Sequence, residues 1–308
     1  MSATAVDRAE TGAELLSTVD ATSSVRTVNG VRLHVVAAGD DDDPLVVLLH
    51  GFPEFWYGWY RQLEALVDAG YRVLVPDQRG YNLSEKPDGV AAYRTSECAR
   101  DIAELIATEG RDAARVVGHD WGGLVAWDLA LRHPSAVERL AIVNAPHPTV
   151  FRRHLLANPE QLRRSWYAAC FQLPRLPELA CRAGDYRLLE RALRETAAPG
   201  TFSDADLDRY RRAWAQKGAL TGMINWYRAS VRAPSPPPRE RVDAPALIVW
   251  GEADDALTAP LATDSRLQCS NGRLELLPET SHWVQHERPA RLTELLLESF
   301  ADAGSDRH

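Results

Sequence analysis

The chain has 308 residues, about twice the usual domain of ~150, and its 45% hydrophobic and 25% charged residues exclude disorder and fibrous repeats. Its 35 basic and 43 acidic residues give a net charge of −8, and no basic run exceeds a pair, so the electrostatic footprint of a nucleic-acid binder is missing. Cys98, Cys170, Cys181 and Cys269 form no CxxC pair, which signals neither zinc nor a disulfide framework and suits a reducing cytosol.

In chain order, residues 1–25 are small, polar and acidic, with no basic stretch leading into an apolar one; they read as a flexible tail and not as a signal peptide. No apolar run reaches the ~18 residues that a membrane span needs, so a cytoplasmic chain with no membrane partner is expected. Two segments around Asn29-Gly30, VRTV and VRLHVV, predict an opening hairpin. Six apolar runs follow, at 44–51, 71–77, 114–120, 137–146, 244–254 and 273–283, each ending near Gly, Pro or Asp and most followed by helical periodicity. That alternation predicts an α/β fold with a mostly parallel sheet.

The rhythm stops between 148 and 237, where the chain turns Arg-rich and helical in period, and SPPPRERVDAP at 235–245 has the stiffness of a tether. The expected organisation is a core built from 26–147 and 238–304 with a helical cap inserted over 148–237.

The strand ending at Gly118-His119-Asp120-Trp121-Gly122 runs straight into a helical pattern. This is the G-x-nucleophile-x-G spacing of a nucleophile elbow, with Asp where Ser is familiar. A carboxylate is ionised at neutral pH and needs no base in order to attack an sp³ carbon, which makes an alkyl ester. Asp120 could otherwise serve only as a helix cap.

After the strand at 44–51 comes His50-Gly51-Phe52-Pro53, whose Phe52 amide, with the Trp121 amide, is a candidate oxyanion hole; the Phe52–Pro53 bond is one that can be cis. Hydrolysing an ester requires activated water. His282, after the last strand, is placed to be the base, and Asp254 follows the strand ALIVWG as its partner, with Asp255 a competitor. His50, His119 and His147 read as structural, satisfying backbone groups at strand ends. His286 lies four residues beyond His282, but two histidines without a third ligand do not signal a metal, and none is expected.

Taken together, HGFPEFWYGW, PDQRGYNLSEKP, GHDWGG, NAPHP and SHWVQHERP closely resemble the soluble, Asp-nucleophile epoxide hydrolases of the α/β-hydrolase fold, over about residues 26–302. The resemblance implies conversion of an apolar epoxide and water to a vicinal diol, without a cofactor. It also implies two cap tyrosines that hold and protonate the epoxide oxygen, mapping to Tyr167 in SWYAACFQLP and Tyr227 in INWYRAS. Phe52, Trp56, Trp121 and Trp226 are the expected substrate-binding residues. The chain departs from the family at Asn82, where Gly is usual and where Asn tolerates the left-handed conformation, at Cys170, and in the doubled acid Asp254-Asp255. Asp77 and Arg79 are expected to pair near that turn. A dehalogenase using the same Asp, and a non-catalytic ligand-binding protein on the same fold, are the alternatives; the sequence does not decide between monomer and homodimer.

Overall fold

In the computed structural model, which describes residues 13–17 and 19–301, every one of the six apolar runs becomes a strand. After a single helical turn, α1 (Ala13–Leu16), come β1 (Thr22–Val28) and β2 (Val31–Ala38), joined at Asn29 and Gly30 with φ of 46° and 73°. Positive φ at both turn residues is what a tight hairpin with the right-handed strand twist demands. The remaining strands are β3 (Leu45–Leu49), β4 (Arg72–Pro76), β5 (Ala114–His119), β6 (Val137–Val143), β7 (Ala246–Gly251) and β8 (Gly272–Leu277). They form one eight-stranded sheet in the order β1-β2-β4-β3-β5-β6-β7-β8, antiparallel at β1–β2 and β2–β4 and parallel elsewhere. All residues of β3, β5 and β7 are buried, and β3 and β7 are apolar throughout, while β5 also buries Arg115 and His119.

One boundary moves. The expected tail over 1–25 gives way to β1 at Thr22; its first residues are polar and exposed, and the backbone ladder from Thr22↔Ala37 to Val25↔His34 holds them without any apolar signal. The rest of that expected tail, apart from residues 13–17 and 19–21, lies outside the described residues.

Core helices α2 (Tyr60–Asp68), α3 (Thr95–Thr108) and α4 (Trp121–Arg132) follow β3, β4 and β5 in the chain. Between β6 and β7 run α5 (Pro148–Ala157), α6 (Pro159–Arg164), α7 (Trp166–Cys170), α8 (Leu176–Thr196), α9 (Asp204–Ala215) and α10 (Ala219–Arg232). Helix α8 is broken at Ala183–Tyr186, where Gly184, Asp185 and Tyr186 have positive φ, and α9 begins with a Ser203–Asp206 capping box. The Pro-rich return past Ser235 is tied down by Arg132, whose Nη2 donates to the Ser235 and Pro236 carbonyls at 2.6 and 2.9 Å. Three helices complete the core: α11 (Pro260–Arg266), α12 (Val284–Glu287) and α13 (Pro289–Ala301). No described helix is long and apolar enough to cross a membrane.

The inserted helices are fastened to the core by specific contacts. Where α10 crosses the loop after β4, Gly222 and Gly80 lie backbone to backbone: a Cβ on Gly222 would fall 2.5 Å from the Gly80 oxygen. Trp226 Nε1 donates to the Arg79 carbonyl at 3.0 Å, and Trp214 Nε1 to the Pro53 carbonyl at 2.6 Å. Arg164 Nη1 donates to the Asp254 carbonyl at 2.6 Å.

The loop after β4 also corrects an expectation. Asp77 does not pair with Arg79: its carboxylate accepts from His34 Nδ1 at 2.7 Å, the Trp56 amide at 2.9 Å and Asn82 Nδ2 at 2.8 Å. Arg79 reaches instead to α3, donating from Nε to Asp101 at 2.6 Å. Three inward donors converge on Asp77 and saturate it, while the longer Arg79 spans to a buried carboxylate on the helix. Asn82 has a φ of 36°, the left-handed conformation expected of it.

Candidate active site

The tip of β5 positions Asp120. Its φ of 50° and ψ of −119° are unfavourable for a side chain with a Cβ, the strain that lifts a residue out of a strand-to-helix turn. The turn closes only because its neighbours are small: a Cβ on Gly118 would lie 2.3 Å from the Gly122 oxygen, and one on Gly122 would lie 2.2 Å from the Leu49 oxygen. Asp120 makes no side-chain cap to α4. Its Oδ1 accepts the Phe52 amide at 2.8 Å instead, across a cis Phe52–Pro53 turn. Trp121 opens α4, so its amide is among those without an intrahelical acceptor.

Opposite Oδ2 stands His282, its Nε2 at 3.7 Å from Asp120 and its Nδ1 at 2.7 Å from Asp254 Oδ2. Asp254 is otherwise saturated: Asn144 Nδ2 donates at 2.7 Å, and the Ala256 and Leu257 amides donate to Oδ1 at 2.7 and 2.9 Å. Asp255 is exposed and its side chain makes no hydrogen bond or ion pair among the described residues, which distinguishes the two acids. Burial works against the Asp254 charge, but His282, Asn144 and the Leu257 amide hold its carboxyl below the usual range. Burial likewise opposes a charged His282, yet Asp254 and then Asp120 raise its pKa from 6.5 to about 9.

The phenols come from the inserted helices. Tyr167 on α7 and Tyr227 on α10 have ring centroids 5.9 Å apart. Tyr227 presents edges or faces to Trp121 at 4.9 Å, Phe52 at 5.2 Å and Phe171 at 4.8 Å. Burial, and then neighbouring groups including Asp120, push both phenols above their ordinary pKa, so both keep their protons at neutral pH. Trp226 sits behind Trp121, centroids 5.7 Å apart. Trp56 is fully buried against Phe55 and Tyr57, with no ring contact to the Phe52–Trp121–Tyr227 cluster.

A buried polar network underlies the histidine. His119 Nε2 lies 3.0 Å from the His282 carbonyl, and its Nδ1 lies 3.3 Å from Glu54 Oε2. Glu54 also takes His286 Nε2 at 2.6 Å, Gln285 Nε2 at 3.0 Å and the Tyr210 hydroxyl at 2.6 Å. Burial disfavours the Glu54 charge, but His286 and His119 hold its carboxyl well below the usual range. His286 is thus a carboxylate partner. His50 accepts the Gln78 amide at 3.1 Å, and His147 caps α5 through the Thr149 amide at 3.3 Å, both neutral because burial lowers their pKa.

Sequence reasoning did not find Phe171, Asn144 or Glu54. Phe171 lies four residues beyond Tyr167, one helical turn along the pocket face, a spacing that could have suggested it. Asn144, at the tip of β6, and Glu54, in the loop after β3, carry no spacing signal, because their partners lie far along the chain: Gly251 and Asp254 for Asn144, and His119, Tyr210, Gln285 and His286 for Glu54.

Residues 44–289 match the family described as alpha/beta hydrolase fold. Over 270 residues the chain is 47% identical to AB hydrolase superfamily protein YfhM of Bacillus subtilis (strain 168), covering 88% of this chain and 94% of that one. It is 36% identical over 267 residues to Epoxide hydrolase 4 of Mus musculus, covering 85% and 74% respectively. Among solved structures, a mutant of an epoxide hydrolase from Bacillus megaterium superimposes with a TM-score of 0.82 at 29% identity, over 90% of this chain and 99% of that one. The sheet order, the elbow and the inserted helices define the class, the α/β-hydrolase fold. Within that class, the chain belongs to the epoxide hydrolase family.

Proposed function

We propose that the protein converts apolar epoxides and water to vicinal diols through a covalent ester on Asp120, without a cofactor. The observation that carries this reading is the position of Asp120, anchored by the Phe52 amide at 2.8 Å in a cleft whose other wall carries the neutral phenols of Tyr167 and Tyr227.

The phenols hold the epoxide oxygen while Phe52, Trp121 and Phe171, backed by Trp226, surround its apolar substituents. Asp120 attacks one ring carbon, the C–O bond breaks, and a phenol passes its proton to the oxygen that leaves. Ester formation also removes the negative charge that helped to keep His282 protonated. The imidazolium then gives up its proton, which restores the phenol, and the neutral ring can take a proton from a water, which the 3.7 Å gap from Nε2 to Asp120 admits. Asp254 holds the ring and stabilises the imidazolium. The Phe52 and Trp121 amides face the oxyanion as the ester hydrolyses.

The test is diol formation from styrene oxide and from a bulkier stilbene oxide. Asp120→Ala is expected to abolish diol formation. His282→Gln is expected to accumulate one alkyl group per enzyme molecule, visible by intact-protein mass spectrometry. Turnover by Asp120→Ala, or a His282→Gln enzyme that never carries the adduct, overturns the mechanism. A halide leaving group calls for N–H donors and no acid, so the facing phenols favour an epoxide over a haloalkane; halide release from haloalkanes with no diol from either epoxide would reverse that choice.

A further inference from the structure

The inserted helices differ sharply in charge from the rest of the chain. Residues 148–237 carry 15 Lys and Arg against 8 Asp and Glu, whereas the remainder carries 20 against 35. The excess is locally uncompensated over 161–184. There the one acid, Glu178, is already engaged by Arg228 at 2.6 Å, and Arg164 is engaged by Glu160 at 2.7 Å. Arg163, Arg175 and Arg182 are exposed and make no ion pair among the described residues.

The same stretch leaves large apolar side chains in water: Leu162, Trp166, Leu173, Leu176 and Leu179 are 59, 66, 47, 57 and 65% exposed. Single exposed apolar residues are ordinary, but five within 18 positions, interleaved with unpaired arginines, are not. A Trp and several Leu beside Arg is the chemistry that enters the headgroup region of an anionic bilayer. Self-association through this face would oppose like charges.

The inner side of the segment carries Tyr167 and Phe171, which line the catalytic cleft. A surface seated on its outer side therefore lies next to the site.

We propose that this face of the cap, residues 162–182, docks peripherally on an anionic lipid surface. The sequence predicts no membrane partner on the ground that no apolar run can span a bilayer; docking of this kind inserts side chains and needs no span. It places the cleft beside a phase in which apolar substrates concentrate, and it does not depend on the identity of the reaction.

The test is flotation of the full chain with phosphatidylcholine vesicles containing about 30% phosphatidylglycerol, compared with phosphatidylcholine alone. The wild type is expected to float with the anionic vesicles only, and to be released when salt rises from about 0.1 to about 1 M. Arg163→Gln/Arg175→Gln/Arg182→Gln should weaken partitioning about 100-fold, at about fivefold per arginine. Trp166→Ser should weaken it with the charges intact, and circular dichroism and thermal melting verify that each variant is folded. No flotation at low salt, or a triple variant that floats like wild type, overturns the proposal. So does a wild-type dimer, seen by light scattering, that Trp166→Ser/Leu176→Ser converts to monomer, because a second copy would then cover the face.

Discussion

The strand ends of the core and the helices of the cap meet at one cleft but bring it different things. From the core come groups tightly bound to their neighbours: Asp120 by the Phe52 amide, and Asp254 by His282, Asn144 and two backbone amides. The cap supplies Tyr167 and Tyr227, which are placed by aromatic packing and by where α7 and α10 rest on the core. In the proposed mechanism the groups that carry charge are thus fixed by hydrogen bonds, while those that would lend a proton are fixed by shape. The charged set tolerates no looseness, since misplacing an ion in a buried site costs far more than tilting a ring.

The largest effect expected from breaking this division is on the cap side of the chemistry. Tyr167→Phe/Tyr227→Phe keeps the packing and removes both acids, so diol formation should fall about 10²–10⁴-fold while styrene oxide still binds. Each single variant should lose less, because one phenol remains. Equal losses in kcat for both singles and the double would mean that the pair acts as one unit.

The core side is sharpened by pH. Because the folded pKa of His282 lies above 6.5, the protonated pair with Asp254 stabilises fully below about pH 6.5 and loses its contribution as pH rises through about 9. The stability difference between wild type and His282→Gln should therefore shrink by about 3 kcal/mol across that window, read from urea unfolding at stepped pH. A difference that is flat with pH would mean that the imidazole is neutral throughout.

The join between the two regions gives the smallest effect. Gly222→Ala would push a Cβ to 2.5 Å from the Gly80 oxygen, backbone against backbone, so α10 must shift. A loss of about 1–3 kcal/mol in stability is expected, with a lower kcat because Tyr227 rides on the same helix. Unchanged melting and turnover would show that the cap is not seated through this contact.

Much of this protein is written in short-range pattern. Six apolar runs became six strands because residues that face a core from a sheet are mostly apolar, and Asn29-Gly30 became a hairpin because both residues accept positive φ. The elbow could be read because its small flanking residues leave a spacing that few other turns require. The family resemblance supplied the tyrosines, which periodicity alone cannot tell from packing residues.

Tertiary structure decided whatever depends on residues distant in the chain. Asp254 and not Asp255 faces His282, because two loop amides and Asn144 from β6 turn that carboxylate inward, while its neighbour points to solvent. Asp77 takes donors from residues 34, 56 and 82, and Arg79 goes to Asp101, although the two lie only two residues apart. Trp56 is packed against Phe55 and Tyr57, because its helical turn faces the core. Glu54 draws its partners from residues 119, 210, 285 and 286, and no window of sequence holds them together. Sequence determines which residue types stand at strand ends, since local sterics and burial select them; which of those side chains meet is settled only when the sheet and the cap close over one another.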